Sequence, residues 1–202
     1  MTRIYLIRHG ETEWNRTGRL QGNSNVLLST EGIRQAKLLA EHAPFHTVDA
    51  IYSSDLSRAV KTAEILAEKF NLPVIQERGL REINFGDWEG RALSELTIRA
   101  DGFEYFFTKP DKVHPPQGET FLQCQARVMT ALEEIVAEHD NQSVIIVSHG
   151  AAIRLILCAA LTMPIRKMWA ISQFNMAVNV LCVDDGRAVV ELVNSTMHLY
   201  HF

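Results

Sequence analysis

Two short apolar segments of this chain end in the same way, and this repeated ending strongly constrains the fold. The run Arg3–Ile7 is followed by Arg8–Gly10 (Arg-His-Gly), and the run Ser143–Val147 by Ser148–Gly150 (Ser-His-Gly). An apolar, β-branched run that stops abruptly is typical of a strand buried on both faces of a parallel sheet. Because such sheets bind ligands beyond the carboxyl ends of their strands, we expect both histidines to lie at one edge.

Helical patterns alternate with strand patterns over the first two-thirds of the chain. Apolar residues recur at helical spacing in residues 32–41, 56–70, 119–139 and 151–161. Short strands are predicted at 49–52 and 73–75, and a hairpin at 178–184 and 187–193, turning at Asp185–Gly186. The alternation predicts an α/β protein: a three-layer α/β/α sandwich whose mostly parallel sheet carries one antiparallel strand near the C-terminus.

One stretch, residues 91–118, interrupts this alternation. It combines three prolines with Phe103, Tyr105, Phe106 and Phe107, which predicts a small cap insertion folded over the sheet. These aromatic side chains either form an apolar wall over a bound ligand or pack the insertion onto the rest of the protein. Since no long polar linker divides the sequence, residues 1–202 are predicted to form a single domain.

Composition excludes several classes of protein. With 20 basic and 24 acidic residues, the formal charge of −4 argues against a non-specific nucleic-acid binder. No apolar run approaches the ~18 residues of a membrane span, and the first residues lack the apolar stretch of a signal peptide. The three cysteines form no CxxC pair, which is typical of a reduced protein, so a cytoplasmic location without membrane partners is predicted.

The predicted sheet edge gathers positive charge. A third strand ends at 52–54, and the helix after it carries Arg58 in its first turn. Arg58 is therefore expected at the same edge as Arg8, His9 and His149. Guanidinium groups match phosphate oxygens bidentately, so this cluster suits a phosphate monoester dianion.

Each member of this cluster also has a simpler interpretation. A single histidine after a strand is more often structural, and Arg58 alone would be an ordinary surface cation. Two histidines after matching strands, each followed by glycine, favour chemistry. A metal site is the other interpretation of paired histidines, but Arg8 beside His9 would repel a cation and the chain has no His-Glu-x-x-His motif, so no metal is predicted.

Sequence motifs resemble those of the histidine phosphatase superfamily, which includes the cofactor-dependent phosphoglycerate mutases. The resemblance covers nearly the whole chain, with the motifs in the expected order. The matching blocks are Leu6–Thr12 with Asn15, Gln21–Gly22, Leu28–Gly32, Tyr52–Ala59 with Thr62–Ala63, Leu80–Glu82 and Val147–Gly150.

The resemblance implies a role for each matching residue. His9 would be the nucleophile that takes the phosphoryl group, and Glu82 would be the general acid and base. Without the resemblance, Glu82 next to Arg81 would be interpreted as part of a surface ion pair. The resemblance assigns phosphate binding to Arg8, Asn15, Arg58 and His149, the last also catalytic, and further substrate contacts to Thr12, Gln21, Gly22 and Gly150. It implies no cofactor.

The segment after Glu82 indicates the branch of the family. The sequence Ile-Asn-Phe-Gly-Asp-Trp-Glu-Gly at 83–90 lacks the basic-aromatic block of the mutases and is similar to the phosphatase branch, including α-ribazole phosphatases and broad-specificity phosphatases. We therefore expect a phosphatase acting on small phosphate monoesters, as a monomer or homodimer. α-Ribazole 5′-phosphate, phosphoserine, sugar phosphates and phosphoglycerates are all compatible substrates. A phosphoglycerate mutase and a non-catalytic phospho-ligand-binding module are the alternatives.

Overall fold

A single mixed sheet organises the described part of the chain. The structure, a computed structural model, describes residues 1–42, 45, 47–99 and 102–200. Its strands are β1 (Thr2–Arg8), β2 (Ala50–Ser53), β3 (Val74–Gln76), β4 (Ser143–Ser148), β5 (Val178–Asp184) and β6 (Arg187–Ser195). Its α-helices are α1 (Glu13–Arg16), α2 (Thr30–His42), α3 (Ser57–Phe70), α4 (Leu93–Arg99), α5 (Phe121–Glu138) and α6 (Gly150–Ala160).

The strand order is β3-β2-β4-β1-β5-β6. Strands β3, β2, β4 and β1 pair in parallel, and β5 pairs antiparallel to both β1 and β6. Strand β6 therefore runs in the same direction as β1, and β5 runs opposite to the rest. The predicted mostly parallel sheet with one antiparallel strand near the C-terminus is confirmed.

The apolar strands are buried on both faces, which explains why they lack polar alternation. On one face Ile4, Ile146 and their neighbours pack against α5 and α6. On the other face Ile7, Ile145 and their neighbours pack against α2 and α3. Helices cover the sheet on both sides, so the three-layer α/β/α prediction is also confirmed.

The two histidine motifs meet because β1 and β4 are adjacent parallel strands in matching register. Arg8 of β1 pairs with Ser148 of β4, and the next residue of each strand is a histidine. His9 and His149 therefore leave the same edge of the sheet side by side, as expected.

The insertion contains more regular structure than predicted. Helix α4 lies within it, followed by 3-10 turns at Phe103–Tyr105 and Pro110–Lys112. Phe103 stacks on Phe106 with ring centroids 4.7 Å apart, and both are buried in the core that contains α5. Among the described residues, no helix is long and apolar enough to cross a membrane.

Candidate active site

The site is centred on two buried imidazoles. The ring centroids of His9 and His149 lie 5.1 Å apart, and both side chains are almost inaccessible to solvent. Nδ1 of His9 lies 2.7 Å from the carbonyl oxygen of Gly10, which can only accept, so Nδ1 is the donor and Nε2 carries the free lone pair. Nε2 of His149 bonds Ser54 Oγ at 2.8 Å, while its Nδ1 has no hydrogen-bond partner among the described residues.

Backbone carbonyls hold two arginines beside these rings. Arg58 is fully buried and donates from Nη1 to Ser24 O and from Nη2 to Gly22 O, each at 2.7 Å. Arg8 donates from Nη1 to Gln173 O at 2.6 Å. In both arginines Nε is buried without a hydrogen-bond partner in the described part of the chain. Unpaired buried donors are costly, so these atoms favour an anionic ligand.

Burial and the arginine charges set the protonation of this cluster. Burial, followed by the charges of Arg58 and Arg8, lowers the pKa of His9 well below 6.5. Burial and Arg58 lower the pKa of His149 in the same direction. Burial also lowers the pKa values of Arg8 and Arg58 to about 10, so both remain cationic near pH 7. Neutral imidazoles therefore lie beside permanent positive charges.

Glu82 reaches the same site from a loop. Its carboxylate accepts hydrogen bonds from the backbone N–H groups of Ala151 at 3.1 Å and Ala152 at 3.0 Å, in the first turn of α6. These two hydrogen bonds fix both oxygens of the Glu82 side chain at the start of α6.

Arg127, on α5, fixes the loop that carries Glu82. It donates to the carbonyl oxygens of Gly79 at 2.8 Å, Arg81 at 3.0 Å and Glu82 at 3.3 Å. It also forms an ion pair with Glu119. One guanidinium group thus ties three carbonyls of a short loop to a helix.

Thr12 is placed differently from its expected role. It is fully buried, caps α1, and donates from Oγ1 to Gln21 Oε1 at 3.0 Å. Its backbone N–H donates to Asn15 Oδ1 at 3.1 Å, and Asn175 Nδ2 donates to the same oxygen at 3.2 Å. Thr12 is not among the lining residues of the cavity described next and its side chain positions Asn15 and Gln21, so its expected substrate contact stays a prediction.

These groups surround a cavity of about 170 Å³, smaller than the roughly 300–1,000 Å³ typical of sites for drug-sized ligands. Eight residues expected in the site line it: Arg8, His9, Asn15, Gln21, Gly22, Arg58, Glu82 and Gly150. His149 is not among the lining residues, and its ring centroid lies 5.1 Å from that of His9. Among the described residues, no cluster of three or more His, Cys, Asp or Glu side chains could hold a metal ion; that the site needs no metal stays a prediction.

Of the aromatic residues of the insertion, Phe106 and Phe107 line the cavity, which fits the apolar wall that the sequence offered as one interpretation. Other lining residues escape sequence reasoning, among them Trp169 from the turn after α6. Arg154 and Arg19 add two further guanidinium groups. Arg154 follows Gly150 by four residues, one helical turn, and this spacing is the signal that could have revealed it.

Comparisons with known proteins agree with this geometry. A family model for the histidine phosphatase superfamily (branch 1) matches residues 4–196. The chain is 37% identical over 203 residues to phosphoserine phosphatase 1 of Hydrogenobacter thermophilus, covering 100% of this chain and 96% of that protein. It is 36% identical over 166 residues to the probable phosphoglycerate mutase GpmB of Proteus mirabilis, covering 81% and 77%.

A solved structure gives the same result. The crystal structure of a mutant phosphoserine phosphatase from Entamoeba histolytica, in complex with phosphoserine, matches with a TM-score of 0.90 at 31% identity, covering 99% of this chain and 100% of that chain. These matches confirm the predicted fold and the predicted enzyme class, a phosphatase. The chain belongs to the histidine phosphatase superfamily.

Proposed function

We propose that this protein hydrolyses small phosphate monoesters through a phosphohistidine formed on Nε2 of His9. The observation that carries the proposal is the state of His9: its Nδ1–H is held by Gly10 O at 2.7 Å and its ring lies 5.1 Å from that of His149. Arg58 and Arg8 depress its pKa, so the lone pair on Nε2 is available near pH 7.

In the first half-reaction, Nε2 attacks the phosphorus atom and the bond from phosphorus to the ester oxygen breaks. The leaving alkoxide takes a proton from the Glu82 carboxyl, which lines the cavity. The products are the free alcohol, phosphohistidine and the Glu82 carboxylate.

In the second half-reaction, the Glu82 carboxylate takes a proton from water while the water oxygen attacks the phosphorus. The bond to Nε2 breaks, inorganic phosphate leaves, and both His9 and Glu82 return to their starting protonation states. Water consumes the phosphoenzyme, so no organic cofactor enters this cycle.

The phosphoryl oxygens require donors in both steps. We assign this role to four side chains, those of Arg8, Arg58, Asn15 and His149. The backbone of Gly150 and the side chain of Gln21 make further contacts with the substrate. Phosphoryl transfer depends mainly on positioning and charge stabilisation, and guanidiniums held by backbone carbonyls provide both without reorganisation. The unpaired Nε atoms of Arg8 and Arg58 support this assignment.

A mutase would share the first half-reaction but return the phosphoryl group to a second substrate oxygen. The similarity to a probable phosphoglycerate mutase makes this the second candidate function. An assay that follows phosphate release together with the interconversion of 2- and 3-phosphoglycerate separates the two. Interconversion faster than phosphate release would identify a mutase.

The mechanism is tested by trapping the intermediate. Wild-type enzyme mixed with a ³²P-labelled monoester and quenched in alkali within milliseconds should carry label that is stable to alkali and labile to acid. His9→Ala should carry no label and lose at least ~10⁴-fold in kcat, as expected for a missing nucleophile. His114→Ala, which removes an exposed histidine, is the matched control. Label on His9→Ala, or activity close to wild type, would contradict the proposal.

A further inference from the structure

The cavity contains two guanidinium groups that the proposed phosphate site does not use, those of Arg154 and Arg19. A Cβ atom added at Gly150 would lie 3.3 Å from Arg154 Nη1 and 3.4 Å from Arg8 Nε, so the two side chains flank Gly150. Arg154 therefore lies next to Arg8 at the start of α6.

Arg154 is held rigidly. Its Nε donates to Ile171 O at 2.7 Å and its Nη1 to Gly150 O at 3.0 Å. Its guanidinium carbon lies 5.1 Å from the centroid of the Trp169 ring, and Trp169 Nε1 donates to Phe106 O at 2.6 Å. Nη2 makes no hydrogen bond to the described residues and remains available for a ligand.

The charges around the cavity are unbalanced. Its lining includes four guanidinium groups, those of Arg8, Arg19, Arg58 and Arg154, and one carboxyl group, that of Glu82. With Glu82 protonated, as the first half-reaction requires, a bound phosphate dianion leaves two positive charges in excess. The apolar rings of Phe106, Phe107 and Trp169 lie beside the excess charge, and the low dielectric of such a wall strengthens its attraction for an anion. A second anionic group on the substrate would lower this excess.

We infer that Arg154, assisted by Arg19, binds a carboxylate on the leaving group, and that the preferred substrates are phosphate monoesters of small hydroxy acids. The inference rests on the proposed phosphatase function. Nη2 of Arg154 can donate charge-assisted hydrogen bonds to a carboxylate, and because Arg154 is already fixed by two carbonyls and a tryptophan, little side-chain entropy is lost on binding. Uncharged leaving groups, as in sugar phosphates or α-ribazole phosphate, lack the group that this subsite takes.

The test uses substrate pairs that differ at the carboxylate. 3-Phosphoglycerate and glycerol 3-phosphate differ by carboxylate against hydroxymethyl, and phosphoserine and phosphoethanolamine by the presence of the carboxylate. For the wild-type enzyme, kcat/KM should be about 10- to 100-fold higher for the carboxylate member of each pair, the usual magnitude of a hydrogen bond to a charged group. Equal values within each pair would overturn the inference while leaving the phosphatase function intact. Failure to release phosphate from any of the four compounds would instead contradict the proposed function.

Arg154→Gln assigns the preference to a residue. The ratio of kcat/KM within each pair should fall at least about tenfold, because the charged fork is lost. Arg34→Gln, which removes a surface arginine paired with Glu31 on α2, should keep the wild-type ratio. A uniform loss for all four substrates would show that Arg154 serves the phosphate and would overturn the inference.

A second variant covers the case in which Arg154→Gln fails to fold. Arg19 is exposed, and the one hydrogen bond of its side chain to the described residues is to Gly90 O at 2.7 Å, so Arg19→Gln should fold normally. Its ratio within each pair should fall by a few-fold, since an exposed charge is screened by solvent. An unchanged ratio in Arg19→Gln would overturn the assignment of Arg19 to the subsite. Equal wild-type values of kcat/KM within each pair would overturn the subsite as a whole.

Discussion

The two ends of the cavity are built from different kinds of structure. One end is the proposed phosphate end. There Arg8 is the last residue of β1, and His9 and His149 directly follow β1 and β4. Arg58 lies in the first turn of α3. At the leaving-group end, the wall comes from Phe106 and Phe107 of the insertion and from Trp169 in the turn after α6.

On the proposed mechanism, the phosphate end carries out the reaction and the leaving-group end selects between substrates. The strand ends are fixed by the register of the sheet, so every substrate meets the same imidazoles and guanidiniums. The described residues of the insertion contribute no strand to the sheet, so its side chains can change without altering that register. Changes at the phosphate end should therefore affect all substrates alike, and changes at the other end should affect the ratios between substrates.

Of the substitutions that distinguish the two ends, the largest effect is expected at Glu82, the proposed general acid. Glu82→Gln keeps one of the two oxygens that accept from the N–H groups of Ala151 and Ala152, and it cannot donate a proton as an acid does. For alkyl phosphates kcat/KM, which reports the first half-reaction, should fall by about 10²–10⁴-fold. For p-nitrophenyl phosphate, whose leaving group needs no proton, the loss in kcat/KM should be much smaller, and equal losses in kcat/KM for both substrates would contradict the role as general acid.

A smaller effect is expected at Arg127, which positions Glu82 without touching the substrate. Arg127→Met removes the donors to three loop carbonyls, so the loop and its carboxyl shift. Displacements of about 1 Å can reduce rates up to ~10²-fold, so kcat should fall by about 10- to 100-fold with little change in KM. The free energy of unfolding should fall by about 1–3 kcal/mol.

Two measurements separate positioning from general stability in this variant. The loss in kcat/KM should be larger for alkyl phosphates than for p-nitrophenyl phosphate, as with Glu82→Gln. Arg127→Lys should not restore kcat, because one ammonium group cannot span the carbonyls that the guanidinium fork reaches. A variant that is destabilised but has the wild-type kcat for both substrates would show that Arg127 is only structural.

The phosphate end could be predicted from sequence because its information is local. The runs Arg3–Ile7 and Ser143–Val147 are apolar throughout, which indicates parallel strands, and each carries its histidine just beyond its end. The sheet order makes β1 and β4 immediate neighbours, and no local sequence pattern predicts that order.

The rest of the site depends on contacts between distant segments. Glu82 was expected only from family resemblance, because its loop is held by Arg127, which lies on a different element. Arg154 and Trp169 come into contact because of the path that the chain takes after α6. The sequence of that segment has no periodic pattern from which the path could be predicted. Thr12 was expected to contact substrate, but its side chain caps α1, a four-residue helix that apolar periodicity cannot reveal.

The phosphate end should also make stability depend on pH. The pKa of His9 is lowered in the folded protein, so below about pH 6.5 the unfolded chain takes up a proton there that the folded protein does not. The free energy of unfolding should therefore decrease as pH falls below about 6.5, by up to about 1.4 kcal/mol per pH unit for each such group. In urea unfolding between about pH 7 and pH 5, the free energy of unfolding of His9→Ala should decrease less steeply than that of the wild type. A slope equal to that of the wild type would mean that His9 is protonated in the folded state.

The smallest effect is expected at the leaving-group end, at Phe107. This ring is 53% exposed and lies 4.9 Å from Phe106 and 5.3 Å from Trp169 between ring centroids. Phe107→Ala should raise KM for p-nitrophenyl phosphate by about 2- to 5-fold, since one half-exposed aromatic contact contributes roughly 0.5–1 kcal/mol, and should keep the wild-type pH dependence of stability. Phe174→Ala, which removes an exposed aromatic residue that does not line the cavity, is the control for KM. If Phe107→Ala instead lowered kcat equally for every substrate, the two ends of the cavity would not act independently, and the separation of chemistry from selectivity would be wrong.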